Sequence, residues 1–286
     1  MNGMEPFVRR QGGKLAEPGV LELAGWMADA PGLAAGFTTR QGGVSQGCFA
    51  SLNCALHVRD AEEDVIANRR RVAEAAGIPF ENWVCGEQVH GNRVHAVTGE
   101  DRGRGWFGRA SAIQDADALV TDAEGVMLAS FYADCVPLIF LDPVKRVVAL
   151  AHAGWKGTVT RIGPETVHMM QERYHSSIEH IRAAIGPSIG PCCYEVDNRV
   201  LEQVRAVWNE EEGEADRPVI RASRPGHAWL DLRELNRQLL KQAGILPTNI
   251  ECTTLCTGCD TGMFFSHRKE GGATGRMMSF IGWKKG

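Results

Sequence analysis

The sequence predicts a mixed α/β or α+β fold around one core. Three observations carry that expectation. Apolar runs of strand length alternate along the chain with segments of helical periodicity. There is no internal repeat and no linker long enough to force a division, so residues 1–286 are read as a single domain. The composition, 44% hydrophobic and 23% charged, is that of an ordinary globular protein.

Taken in order, residues 1–33 are read as a short strand and an N-terminal arm. Residues 35–39 are apolar and β-branched, hence a strand, and run into the glycine-rich turn Arg40-Gln41-Gly42-Gly43-Val44-Ser45. Ser51-Leu52-Asn53 leads to a helix over 60–76, where apolar residues recur at helical spacing and Gly77 stands as C-cap. Short strands at 84–86 and 93–97 flank Glu87-Gln88-Val89-His90. Residues 99–112 form a polar, glycine-rich loop whose Trp106 and Phe107 either cover a site or lie on a plain surface. Asp115-Ala116-Asp117-Ala118 introduces a strand at 119–121. Two more strands, 126–132 and 147–151, are joined by a reversal at Asp142-Pro143. A helix over 158–174, a strand at 181–185 and helices over 197–209 and 231–243 complete the pattern, with the acidic stretch 210–218 as an exposed insertion.

The net charge of −4 gives no support for a nucleic-acid surface. No apolar run approaches the roughly 20 residues of a membrane span, and the opening MNGMEPFVRRQGGK has no signal-peptide core. A cytoplasmic protein without nucleic-acid or membrane partners, monomeric or weakly homodimeric, is the expectation. Nine cysteines, an odd and scattered set, are expected as free thiols.

Metal-ligand chemistry is concentrated in the centre of the chain. Cys135 follows the 126–132 strand, His152 directly follows the 147–151 strand, and the pair is expected at one end of a sheet. His90, in Gln88-Val89-His90-Gly91, is a candidate third ligand, and three protein ligands with an open fourth position is the arrangement of catalytic zinc. Gly154 and Gly157 flank Trp155 and permit a tight backbone path beside the histidine. Plainer readings stand beside these: a buried hydrophobic cysteine and satisfied core histidines. The Arg40 turn is either an anion loop or an ordinary turn with a solvated arginine. Asp115 and Asp117 suit either acid–base work or a solvated turn.

Near the C-terminus, Cys252, Cys256 and Cys259 show the C-x3-C-x2-C spacing of an iron–sulfur motif. Their late position argues against that assignment. A structural zinc site would take His267 as fourth ligand, and a short strand and turn with free thiols is the preferred reading. The vicinal Cys192-Cys193 pair is read as buried and structural ahead of copper binding or oxidation. Residues 264–268 are read either as a strand delivering His267 and Arg268 to the site or as a solvated basic loop.

Taken together, the segments TTRQGGVS, SLN, EQVHG, DADALVTD, ADCVPLIF, AHAGWKG, GPSIGPCCYEV, DLRELN and FFSHR…TGR resemble, in type and order, the YfiH family. That family is also described as multicopper polyphenol oxidase (laccase-like) or purine nucleoside phosphorylase. The resemblance spans residues 34–281; Lys156 stands where the family commonly has Arg, which keeps the charge and loses bidentate hydrogen bonding. It implies layered mixed sheets flanked by helices, in a cysteine-hydrolase-like fold, and zinc held by His90, Cys135 and His152, with copper able to occupy the site in vitro. It also implies purine nucleosides and phosphate as partners: phosphorolysis of adenosine, inosine and 5′-methylthioadenosine, and deamination of adenosine.

On that basis zinc would lower the pKa of a bound water, and Asp134 is the first choice to move protons, with Glu87 and Asp117 as alternatives. Arg40, Ser45 and Arg268 are expected to hold phosphate, and Asn53 and His267 to contact sugar or base. The competing readings are a copper-dependent phenol oxidase, a non-catalytic metal- or nucleoside-binding protein, and a cysteine hydrolase using Cys135 and His152.

Overall fold

The structure, a computed structural model, describes residues 5–9, 17–208 and 218–286. Much of the expected insertion at 210–218 and part of the expected arm at 1–33 therefore lie outside the described residues. In chain order, β1 (Val8–Arg9) and β2 (Val20–Glu22) precede α1 (Ala24–Asp29) and β3 (Leu33–Thr38). Phe7, Leu21, Leu23 and Trp26 are buried, so this part of the expected arm is packed into the core. The helix expected at 60–76 is α2 (Glu62–Ala76), closed by Gly77 at φ 69°. The expected short strands appear as β4 (Trp83–Cys85), β5 (Val94–Ala96) and β6 (Ala118–Thr121).

The central stretch holds three strands where two were expected: β7 (Met127–Tyr132), β8 (Val136–Asp142) and β9 (Val147–Ala153). Asp142-Pro143 does reverse the chain, but between β8 and β9, and Pro137 sits inside β8 opposite His152. The helix expected at 158–174 is broken into α3 (Trp155–Val159) and α4 (Ile162–Tyr174), because Arg161 takes a left-handed conformation at φ 66°. Then follow β10 (Arg182–Ile185), β11 (Glu195–Asp197), α5 (Asn198–Arg205), β12 (Ile220–Ala222), β13 (His227–Leu230), α6 (Leu232–Gln242), β14 (Ile250–Cys252) and β15 (Met277–Trp283). Asp197 and Asp231 cap α5 and α6 by accepting backbone N–H bonds.

The strands form two mixed six-stranded sheets, ordered β1-β2-β3-β15-β7-β4 and β14-β10-β8-β9-β6-β5, and a small antiparallel sheet β11-β13-β12. Side-chain alternation sets the layers. Leu128 and Tyr132 of β7, Ile139 of β8, Val148 and Leu150 of β9 and Ile281 of β15 share the core between the two large sheets. The other face of β7, Met127, Ala129 and Phe131, packs with Val72 and Ala73 of α2. The other faces of β8 and β9, including Leu138, Phe140, Ala149 and Ala151, pack with Met170 of α4 and Leu239 of α6. The order is helix, sheet, sheet, helices. Strands buried on both faces read as unbroken apolar runs, which is why β7 and β9 were visible in the sequence.

This layering changes which strand carries the cysteine to the site. β7 and β9 belong to different sheets, and the chain crosses from one sheet to the other at residues 133–135. Cys135 ends that crossing directly before β8, whose Val136 and Pro137 pair with Ala153 and His152 of β9, so the thiol and the imidazole do meet at one end of one sheet, on β8 and β9 and not on β7 and β9.

Candidate active site and metal centre

The crossing is held open by Asp134, whose backbone is left-handed at φ 84°. Its Oδ1 accepts hydrogen bonds from Thr257 Oγ1 (2.7 Å) and Ser266 Oγ (2.8 Å), and Oδ2 accepts from the Arg268 N–H (2.7 Å). These bonds fix the turn that presents Cys135. They also engage both carboxylate oxygens, so Asp134 is built as an anchor, against the expectation of a proton carrier.

Opposite the turn, His152 is buried within β9, with Nδ1 2.9 Å from Asp117 Oδ1. The carboxylate holds the proton on Nδ1 and leaves Nε2 as the free ligand atom. Asp117 also accepts the backbone N–H groups of Val89 (3.0 Å), His90 (3.0 Å) and Gly91 (2.8 Å). That secures His90 in its left-handed conformation at φ 64°. One buried carboxylate thus positions two of the three expected ligands. Burial pushes its pKa up, but the bonds from His152 and the backbone outweigh burial and hold it below the usual carboxylate range.

His90 Nε2 lies 3.8 Å from Cys135 Sγ, and the ligand atoms of His90, Cys135 and His152 all lie within 4.8 Å of one another. A Cβ on Gly154 would fall 2.9 Å from His90 Cδ2 and 3.0 Å from Cys135 Sγ, so the backbone passes the trio only as glycine. Burial raises the Cys135 thiol, yet the charge and hydrogen bond of His152 win and lower it to about 6. Burial lowers His152, yet the Cys135 thiolate and Asp117 raise it to about 9. Both shifts favour a thiolate beside an imidazolium in the metal-free protein. Two imidazole nitrogens and a sulfur within 4.8 Å of one another fit zinc, and equally suit copper.

A cavity of about 320 Å³ opens over this centre. His90, Asp134 and Cys135 line it, with Trp155, Ile189, Tyr194 and Leu232 as its apolar and aromatic surfaces and Lys156, His267 and Arg268 as its basic groups. Arg268 lies over the Tyr194 ring and donates to the Glu195 carbonyl (2.7 Å). His267 and Arg268 arrive on a turn, not on the strand that was one reading of 264–268.

Arg40, Ser45 and Asn53 do not reach this cavity. Arg40 donates to the carbonyls of Ala50 and Thr261, pairs with Glu270 at 3.0 Å and stacks on Phe265. Ser45 and Asn53 both donate to Asp60 Oδ2, at 2.7 Å and 2.8 Å. Their polar atoms are committed to holding the loop together, so the phosphate and sugar contacts expected of them have no geometry behind them. Glu87, the other alternative acid, is paired with Arg109 beside a separate, smaller cavity. Trp155, Ile189, Tyr194 and Leu232 line the cavity without having been expected there, and the GPSIGPCCYEV segment was the available signal for Ile189 and Tyr194.

Cys252 stays on β14 and bonds to the Thr253 carbonyl, apart from Cys256 and Cys259. Those two meet Cys192 and Cys193 instead, a grouping that neither the C-x3-C-x2-C spacing nor His267 as fourth ligand anticipated.

The family model for multi-copper polyphenol oxidoreductase laccase matches residues 34–284. A purine nucleoside phosphorylase, YlmD, of Geobacillus stearothermophilus is 47% identical over 266 residues, covering 91% of this chain and 95% of its own length. An adenosine deaminase from an unknown prokaryotic organism is 33% identical over 247 residues, 86% of this chain and 92% of its own length. The crystal structure of YlmD from Geobacillus stearothermophilus superposes with a TM-score of 0.90 at 44% identity, covering 98% of this chain and 100% of that one.

Proposed function

The chain belongs to the multi-copper polyphenol oxidoreductase laccase family, the YfiH family its motifs resemble, and from that premise we propose that it is a zinc-dependent purine nucleoside enzyme. Its reactions are phosphorolysis of adenosine, inosine and 5′-methylthioadenosine and hydrolytic deamination of adenosine. The observation that carries the reading is the convergence of His90, Cys135 and His152 at a cavity with aromatic surfaces and basic groups. The names of the relatives supply the substrate class.

Bound there, zinc supplies Lewis acidity at the open end of the trio. The protein's own residues do the rest. Asp117 keeps His152 in the tautomer that offers Nε2 and clamps the turn carrying His90. Asp134 fixes the crossing and, through the Arg268 N–H, the mouth of the cavity. Trp155 and Tyr194 offer flat apolar surfaces to the purine. Lys156 and Arg268 supply positive charge for phosphate, which in phosphorolysis attacks C1′ while the C1′–N9 bond breaks toward the base. His267, at the same rim, is placed to contact the sugar.

A second reading, a copper-dependent phenol oxidase, is favoured by the family's description and by the softness of the thiolate ligand. Among the described residues only one metal-ligand cluster contains histidine, which leaves little for a multicopper centre. Incubating zinc-loaded protein with adenosine, with and without phosphate, separates the possibilities. Adenine with ribose 1-phosphate, formed only with phosphate, marks phosphorolysis, and inosine in either tube marks deamination. Absence of product in both tubes overturns the proposal and moves the oxidase ahead.

A further inference from the structure

We propose that Cys192, Cys193, Cys256 and Cys259 form a second metal site, a closed all-thiolate shell that takes zinc and clamps one wall of the cavity. The four sulfurs lie within 4.8 Å of one another. Cys192 Sγ is 3.3 Å from Cys259 Sγ and 3.6 Å from Cys256 Sγ, and Cys193 Sγ is 3.6 Å from Cys259 Sγ. Zinc–sulfur bonds of about 2.3 Å at tetrahedral angles place sulfurs ~3.8 Å apart, close to these spacings. The separations are far longer than the ~2.05 Å of a disulfide, and all four thiols are free.

The backbone is shaped for the same purpose. Cys256-Thr257-Gly258-Cys259 is a C-x2-C turn, closed by the Cys259 N–H on the Cys256 carbonyl at 3.2 Å. The Gly190 N–H donates to Cys256 Sγ at 3.1 Å, a bond that favours sulfur carrying negative charge. A Cβ on Gly258 would meet Cys193 Cβ at 2.9 Å and Sγ at 3.1 Å, so the two cysteine pairs close up only over a glycine. Four cysteines from two segments more than 60 residues apart converge here, with separations of 64 to 67 positions between the paired thiols. Four soft donors with no open position is the pattern of a structural zinc site, and the exposed Cys192 and Cys259 give the ion its way in.

The site would act on the cavity through short connections. Ile189 and Tyr194, on either side of the vicinal pair, both line the cavity. Thr257, inside the C-x2-C turn, donates to Asp134 Oδ1 at 2.7 Å, next to Cys135. Ile189 N–H donates to the Asp134 carbonyl at 3.0 Å, and Thr257 N–H to the Ser188 carbonyl at 3.0 Å. A metal joining the two segments would lock this wall against the crossing that carries Cys135.

The test starts from Cys135→Ala, which disables the histidine-containing trio. The full-length variant is loaded with zinc under reducing conditions and dialysed, then assayed for metal content and for its zinc X-ray absorption. The expected result is about one retained zinc per chain in a sulfur-only shell near 2.3 Å. Adding Cys259→Ser, at an exposed position, should lower its retention and break the sulfur-only shell. Chelation of Cys135→Ala should expose four further thiols to a thiol reagent, a readout that needs no second variant. No retained zinc, a shell containing nitrogen, uptake of Cu(I) with refusal of zinc, or an unchanged thiol count overturns the proposal. Wild-type protein holding only the sulfur-bound zinc would instead sink the zinc assignment at the trio, so the two proposals fail separately.

Discussion

The loop from Arg40 to Asn53 and the crossing at residues 133–135 carry similar chemistry and use it in opposite ways. In the loop, a cation, a hydroxyl and an amide are turned inward. Arg40 is spent on Ala50, Thr261, Glu270 and Phe265, and Ser45 and Asn53 converge on Asp60. At the crossing, the anchoring is done by Asp134 and by Asp117, which leaves Cys135 and His90 facing a cavity. A site is marked by ligand atoms left free by the groups that hold them in place; polar residues alone do not mark one.

The sharpest way to break this contrast is Cys135→Ala. It should cut nucleoside turnover by about a thousandfold or more, because several kcal/mol of Lewis-acid assistance go with the metal. Steady-state kinetics of the zinc-loaded variant would show it, and near-normal turnover would return the crossing to the status of the loop. Asp117→Asn should cost about 10- to 100-fold in turnover or zinc affinity, since the amide can no longer hold both the His152 proton and the N–H groups of the His90 turn. Zinc titration and kinetics together would separate the two losses. Gly154→Ala, which pushes a methyl at His90 and Cys135, should cost about tenfold through misplacement of the ligands.

A pH titration sharpens the contrast from the other side. In metal-free protein Cys135 sits at about 6, below its ordinary 9.0, so its contribution to stability is full above 9.0 and is lost as pH falls through 6. His152 sits at about 9, above its ordinary 6.5, so its contribution is full below 6.5 and is lost as pH rises through 9. Melting temperature should therefore gain a maximum between these limits that Cys135→Ala lacks; identical profiles would refute the ion pair. Smallest in activity is Arg40→Ala, with kcat/KM unchanged per folded molecule and stability lowered by about 1–3 kcal/mol in thermal or denaturant unfolding.

What the sequence disclosed follows from the same physics. Strands β7 and β9 were legible because both faces are buried, and α2 because its Gly77 cap ends a clear helical period. β8 was hidden by Pro137, a residue that argues against a central strand, and the break between α3 and α4 rests on the conformation of one arginine that no local pattern announces. His90, Cys135 and His152 could be singled out as candidate ligands because each stands in a strand or its adjoining turn. The four-cysteine cluster was not, because it pairs Cys192 and Cys193 with a turn far along the chain, while the visible spacing pointed to Cys252. Arg40 and Arg268 look alike as letters; only packing tells a spent guanidinium from one at a cavity rim.

The crossing between the sheets also has a kinetic consequence. Cys135 and His152 stand at one end of the β8–β9 hairpin, whereas His90 lies between β4 of the first sheet and β5 of the second, so the trio is complete only when those edge strands join the hairpin. The hairpin can gather two of the ligands early, but no short segment holds all three, as a finger motif would. Full metal affinity should therefore come late in refolding, once His90 is in place, and loss of the ion should follow movement of the exposed turn that carries His90. The bound ion would then serve as a clock for the last step of assembly.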